Sequence, residues 1–286
     1  MIPFSKMHGN GNDFIVICNT DEAMSKEELS ALALRACQRK TSVGADGILV
    51  VESSARAHFR MRLFNADGSE GEMCGNGARC IARFAFENGM APAKMTFETL
   101  AGVMAAEVRN DRVSLDLGEI PLRDGWFGDR LMVRGEAFPS VFLWVGVPHC
   151  VVFVDDLDGY SRADLRDIGR EIRNDRVRFP EGTNVTFLVP EPPSGARAVT
   201  YERGVEDLTE SCGTGCVACA IACAVTHGME SPISVRNPGG VNEIGLAFSA
   251  GNERCRAILT GRTALVARGV LLPQDEERQR NGGAEA

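Results

Sequence analysis

The chain has 286 residues, 44% of them hydrophobic and 24% charged, with a formal net charge of −8 and an isoelectric point near 5.2. That length accommodates one large domain or two ordinary ones, and the balance is that of a globular protein with a sizeable core. With no block of Lys or Arg, the acidic chain offers no nucleic-acid footprint, and no run approaches the roughly 18 apolar residues of a membrane-spanning helix.

The N-terminus, MIPFSKMHGNGNDF, lacks a basic segment followed by an apolar one, so no signal peptide is expected and the cytoplasm is the expected compartment. The ten cysteines are then expected as free thiols, small and buried. MRLFN (61–65) ends a strand, ADGSEGEM is a polar turn, and Cys74-Gly75-Asn76-Gly77 opens an apolar helix stopping at Gly89. Residues 94–118 read as strands joined by Asn-Asp turns. AVTYE (198–202) again alternates like a strand, RGVEDLTES is the turn, and Cys212-Gly213-Thr214-Gly215 opens a helix stopping at Gly228. Residues 231–261 read as a second meander, and the charged stretch from Pro273 reads as a frayed tail.

Strand, acidic turn, C-G-x-G, small-residue helix and Gly-Met thus occur twice, with the two cysteines about half a chain length apart, as after an internal duplication. The second helix is Ala, Cys, Ile and Val nearly all round, so it is expected to be buried on every side and wrapped by curved sheet. The expected fold is α+β: two pseudo-symmetric domains, each a curled mixed sheet or barrel around a central helix, with the active site in the cleft between them. One domain comprises residues 1–118 with 264–286, the other 119–263.

The spacing C-x3-C-x2-C from Cys212 raises the possibility of an iron–sulfur cluster. On a helix, however, Cys216, Cys219 and Cys223 share one face, which favours core packing; Cys18, Cys37, Cys80, Cys150 and Cys255 read the same way, and no metal site is expected. Cys74 and Cys212 differ, because each precedes Gly-x-Gly at a helix N-terminus. Unpaired amides there favour a thiolate and bind carboxylates, and glycine permits close approach. Two such thiols around one cleft suit inversion of a stereocentre, which needs a base on one face of the carbon and an acid on the other.

At these residues the sequence resembles the diaminopimelate epimerase family. The resemblance runs from Lys6 to about Gly269 through MHGNGNDF (7–14), GADG (44–47), FNADGSEGEMCGNGARC (64–80), GVPHCV (146–151), GTNVTF (182–187) and YERGVEDLTESCGTGC (201–216). It implies a cofactor-independent isomerase that interconverts LL- and meso-diaminopimelate, a small amino-acid substrate, for lysine and peptidoglycan synthesis, and it makes a homodimer possible. It further implies that Cys74 and Cys212 are the acid/base pair and that the amides of Gly75, Asn76, Gly213 and Thr214 hold the reacting carboxylate. Asn12, Asn65, Asn184, Glu202 and Arg203 would orient the substrate, and His149 with Glu202 would assist proton movement.

Taken singly these residues have plainer readings. Asn12 and Asn65 suit turns, Glu202-Arg203 could be an exposed strand end, and His149 could be a core histidine. Val147 stands where many members have Asn, and Arg262-Thr263 where Pro-Ala is common. The alternatives are a racemase or epimerase of histidine, proline or hydroxyproline on the same fold, and a binding protein that exchanges no α-proton.

Overall fold

The computed structural model describes residues 1–273. In chain order the first run of elements is β1 (Ile2–Gly9), β2 (Asn12–Cys18), α1 (Lys26–Ala36), β3 (Gly47–Glu52), β4 (Phe59–Asn65), β5 (Glu70–Gly71), α2 (Gly75–Glu87), β6 (Lys94–Thr99), β7 (Gly102–Arg109), β8 (Arg112–Pro121) and β9 (Trp126–Val133). The second run repeats it: β10 (Glu136–Val145), β11 (Val147–Phe153), α3 (Arg162–Arg173), β12 (Asn184–Glu191), β13 (Gly195–Tyr201), β14 (Leu208–Thr209), α4 (Gly213–His227), β15 (Ile233–Asn237), β16 (Gly240–Phe248), β17 (Arg254–Arg262) and β18 (Ala264–Leu271).

Strand pairing repeats with the elements. β2 lies parallel to β3 and β4 to β6, just as β11 lies parallel to β12 and β13 to β15. Parallel neighbours need a crossover, and the four helices supply one each. The last strand of each run changes sides. β9 pairs with β10, and β18 returns to pair with β1, so the half-sheets run β18-β1-β2-β3-β4-β6-β7-β8 and β9-β10-β11-β12-β13-β15-β16-β17. Antiparallel pairing of β8 with β17 joins them. Neither half closes: among the described residues β18 pairs only with β1 and β9 only with β10.

Each half-sheet curls around its inner helix. Ala78, Cys80, Ile81, Ala82 and Ala85 of α2 are fully buried against the first, and α4 is buried from Cys216 to Cys223 inside the second. Helices α1 and α3 cover the outer faces, so β3 is buried on both sides. Leu49 and Val51 meet the α2 core while Ile48 and Val50 meet the α1 core. A strand covered on both faces reads as a continuous apolar run, and GILVVE does.

Three sequence expectations need correction. Only the β7–β8 turn is Asn110-Asp111, whereas β6 and β7 are joined through Leu100-Ala101. The strand expected over 198–202 ends at Tyr201, leaving Glu202 in the turn. Cys18, expected to be buried, is exposed at the end of β2. The expected tail lies outside the described residues apart from Pro273. No helix among the described residues is long and apolar enough to cross a membrane.

Candidate active site

The outer helices are capped conventionally. Ser25 with Glu28 and Ser161 with Asp164 form capping boxes that satisfy first-turn amides. The inner helices are not. Cys74 and Cys212 occupy their N-cap positions in extended conformation, and neither side chain makes a capping bond. The first helical bonds run from Ala78 N–H to Cys74 O and from Cys216 N–H to Cys212 O, so the amides of the three residues between have no partner within the helix.

The two helix ends meet. A Cβ built on Gly213 would stand 3.9 Å from Gly75 Cα, and Leu259 closes the other side. Two sets of first-turn amides therefore converge on one region, together with the positive ends of two helix dipoles.

Asn12, at the start of β2, gives its amide N–H to Asp46 at 2.7 Å. Its Oδ1 then faces the Cys74 thiol at 3.4 Å and accepts from Asn76 Nδ2 at 3.4 Å. Asn76 Nδ2 also donates to the carbonyl of Ser211 at 3.0 Å, tying the Cys74 turn to the residue before Cys212. In the second half, the Thr214 hydroxyl lies 3.0 Å from His149 Nε2 and 3.7 Å from Cys212 Sγ. Glu202 accepts from Thr209 Oγ1 at 2.5 Å and sits within reach of the Cys212 thiol. Asn184 Oδ1 accepts from the Arg203 amide at 2.8 Å, and the Arg203 guanidinium donates to Glu181 O at 3.0 Å.

Burial dominates the electrostatics. It pushes both thiols up, Cys212 the more, and the Glu202 carboxylate raises each of them further. The amides of Gly77 and Asn76 at Cys74, and of Gly215 at Cys212, work in the opposite direction without prevailing. At both helix ends burial thus outweighs the amides, against the expectation that this position favours the thiolate. Burial raises the Glu202 carboxyl too, and it lowers His149 to about 3, helped by Arg203, so this imidazole is neutral.

Most of the expected site residues fall into these two linked clusters. Asn65, at the exposed end of β4, bonds Ser69 Oγ through its Nδ2 at 2.9 Å, and its backbone pairs with Gly47 on β3, next to the Asp46 that holds Asn12. Cys216, Cys219 and Cys223 are buried in the α4 core, and Cys216 Sγ contacts Asn237 and Asn242. Among the described residues no group of His, Cys, Asp and Glu could hold a metal ion. Sequence reasoning missed Asp46, which orients Asn12, and Arg79, whose Nη2 donates to Asn76 Oδ1 at 2.6 Å. An arginine within the apolar helix that opens after Cys74 was the available signal for the second.

A family model described as Diaminopimelate epimerase matches residues 4–122 and 141–266. A diaminopimelate epimerase of Archaeoglobus fulgidus is 41% identical over 282 residues, covering 94% of this chain and 96% of that protein. One from Aquifex aeolicus is 41% identical over 285 residues, covering 94% and 97%. Among solved structures, a phenazine biosynthesis protein of the PhzF family from Bacillus anthracis has a TM-score of 0.70 at 16% identity, covering 95% of this chain and 99% of that one. A hydroxyproline epimerase from Agrobacterium vitis has a TM-score of 0.66 at 18% identity, covering 94% and 91%; at such identities the likeness extends to the fold alone.

Proposed function

The chain belongs to the diaminopimelate epimerase family, and we propose that its two N-cap cysteines carry out that family's reaction as a thiolate/thiol pair. The protein is an isomerase that interconverts LL- and meso-diaminopimelate in lysine biosynthesis; supply of peptidoglycan precursors is part of the proposal. The racemase-like structures are distant relatives in fold.

One thiolate takes the α-proton, the negative charge spreads onto the α-carboxylate, and the opposite thiol delivers its proton to the other face. Bonds and charge balance: one S–H forms, one breaks, and the reverse reaction exchanges the roles. The amides of Gly75, Asn76, Gly213 and Thr214 stabilise the carboxylate as charge builds there. Both protons travel through sulfur, so the chemistry asks for no cofactor. Glu202 is suited to accept the proton that turns one thiol into a thiolate, since its own carboxyl is raised and lies against Cys212. His149 remains neutral and orients Thr214. Arg203 and Glu202, with Asn12, Asn65 and Asn184, would hold the distal carboxylate and ammonium. Val147 supplies no polar side chain at its position.

The observation that carries this reading is the meeting of two uncapped, cysteine-led helix ends at Gly75 and Gly213. Proton NMR of LL-diaminopimelate in heavy water with the reduced protein tests it. Loss of the α-proton signal and growth of the meso isomer are expected, and both should disappear in Cys74→Ala and in Cys212→Ala. Undiminished turnover in either variant would refute the pair. The ten free thiols support a cytoplasmic setting, and a homodimer through the β18 edge is also proposed.

A further inference from the structure

Arg79, in the second turn of α2, is completely shielded from solvent, yet among the described residues no carboxylate pairs with it. Its Nη2 bonds Asn76 Oδ1, while Nε and Nη1 are buried without partners. The fold makes specific room for the group. A Cβ on Gly261 would lie 2.8 Å from Arg79 Cζ and Nε, so the guanidinium sits where only glycine leaves room, and a Cβ on Gly9 would stand 3.5 Å from Nη2. Burial works against the charge, and the ionisable groups that oppose that effect are thiols: Cys80, Cys74 and Cys216.

A buried cation without a counter-ion is costly, and a hydrogen bond to Asn76 alone could be supplied by a neutral side chain. Something in the site must gain from the charge. The Asn76 side chain links the two reactive turns by hydrogen bonds, to Asn12 Oδ1 beside Cys74 and to Ser211 O beside Cys212. Because Arg79 occupies Asn76 Oδ1, the Nδ2 end must face those acceptors. We propose that Arg79 is a positioning residue for the epimerisation. It sets the amide that ties the Cys74 turn to the Cys212 turn, and it places a buried positive charge beneath the helix end where the Cys74 thiolate forms. The inference rests on the two-thiol reading above.

The test uses Arg79→Gln, which keeps a donor and removes the charge, and Arg79→Lys, which keeps the charge and loses the planar fork. The first readout needs no substrate: the rate of Cys74 alkylation by iodoacetamide against pH, resolved by site with mass spectrometry. The groups acting on Cys74 in that titration are Glu202 and Arg79, together with the amides of Asn76 and Gly77. With the cation gone, the Gln variant should react with a midpoint about one pH unit higher, while the Lys variant stays close to the parent. The second readout is turnover of LL-diaminopimelate. Both variants should lose kcat by roughly 10- to 100-fold with KM changed only a few-fold, because a misplaced reacting geometry affects the chemical step. An unchanged alkylation profile in Arg79→Gln, or kcat losses that only track the unfolded fraction, would overturn the proposal. So would failure of both variants to fold, which would make Arg79 a structural pin. If the parent protein did not turn over diaminopimelate, the two-thiol reading would fail on its own, and the alkylation profile would still report on Arg79.

Discussion

Each reactive side chain takes its character from what surrounds it. A cysteine at a helix N-terminus is ordinarily the thiolate-prone case, yet here burial raises both thiols. His149 moves the opposite way, to about 3, because the same burial disfavours its charged form. That gives a prediction for stability. An unfolded histidine titrates near 6.5, so between about pH 6.5 and 3 the unfolded chain binds a proton that the folded one refuses. The contribution of His149 is complete above that window and is lost as pH falls through it, by up to about tenfold in the unfolding equilibrium per pH unit. His149→Gln should therefore flatten the acid limb of a urea-denaturation series measured from pH 7 to 4. An unaltered limb would show that the imidazole is not held neutral.

Helices and strands carry the site residues into place, and their contacts leave little slack. Gly169 of α3 lies on Tyr201, the last residue of β13, and a Cβ there would stand 2.7 Å from Tyr201 Cβ and 2.9 Å from Cγ. Two effects compete in Gly169→Ala. Helix propensity favours alanine by about 1 kcal/mol, whereas overpacking a filled core costs roughly 1–3 kcal/mol. Tyr201 is fully buried and its hydroxyl donates to Glu206 at 3.3 Å, so it has no room to retreat and overpacking wins. The variant should unfold at a lower temperature. It should also raise KM, because displacing Tyr201 drags Glu202 and Arg203 with it. A melting temperature at or above the parent value would contradict this account. Elements were also where the sequence was most readable. The apolar runs that open after Cys74 and Cys212, and the glycines that end them, identify α2 and α4 without any knowledge of the fold; Gly228 indeed takes a left-handed conformation at φ 63°.

For the molecule as a whole, duplication with exchanged end strands explains the single site. Because β18 returns to β1 and β9 to β10, each half depends on chain from the other run. The exchange leaves β18 as an outer strand with Val266 and Val270 exposed and Leu272 exposed just after it, an edge suited to a second copy. Light scattering should therefore give about twice the chain mass of 30.8 kDa. Val270→Lys, by charging that edge, should shift the protein toward monomer. A monomeric parent protein would end the dimer proposal.

The repeat, the two C-G-x-G helix starts and the motif set were legible in the chain because they are local: spacing along the backbone sets which residues share a helix face or cap a helix end. Family membership followed from the same linear pattern. Burial and long-range contact were not legible. Nothing local reveals that burial outweighs the backbone amides at Cys74, that Asp46 turns the Asn12 amide, or that Cys18 faces solvent. Nor does it reveal that Asn65 turns its amide to Ser69, or that Arg79 lies buried against Asn76. Those outcomes depend on which distant segments the half-sheets bring together, and on how completely those segments exclude the water that would otherwise solvate the charges.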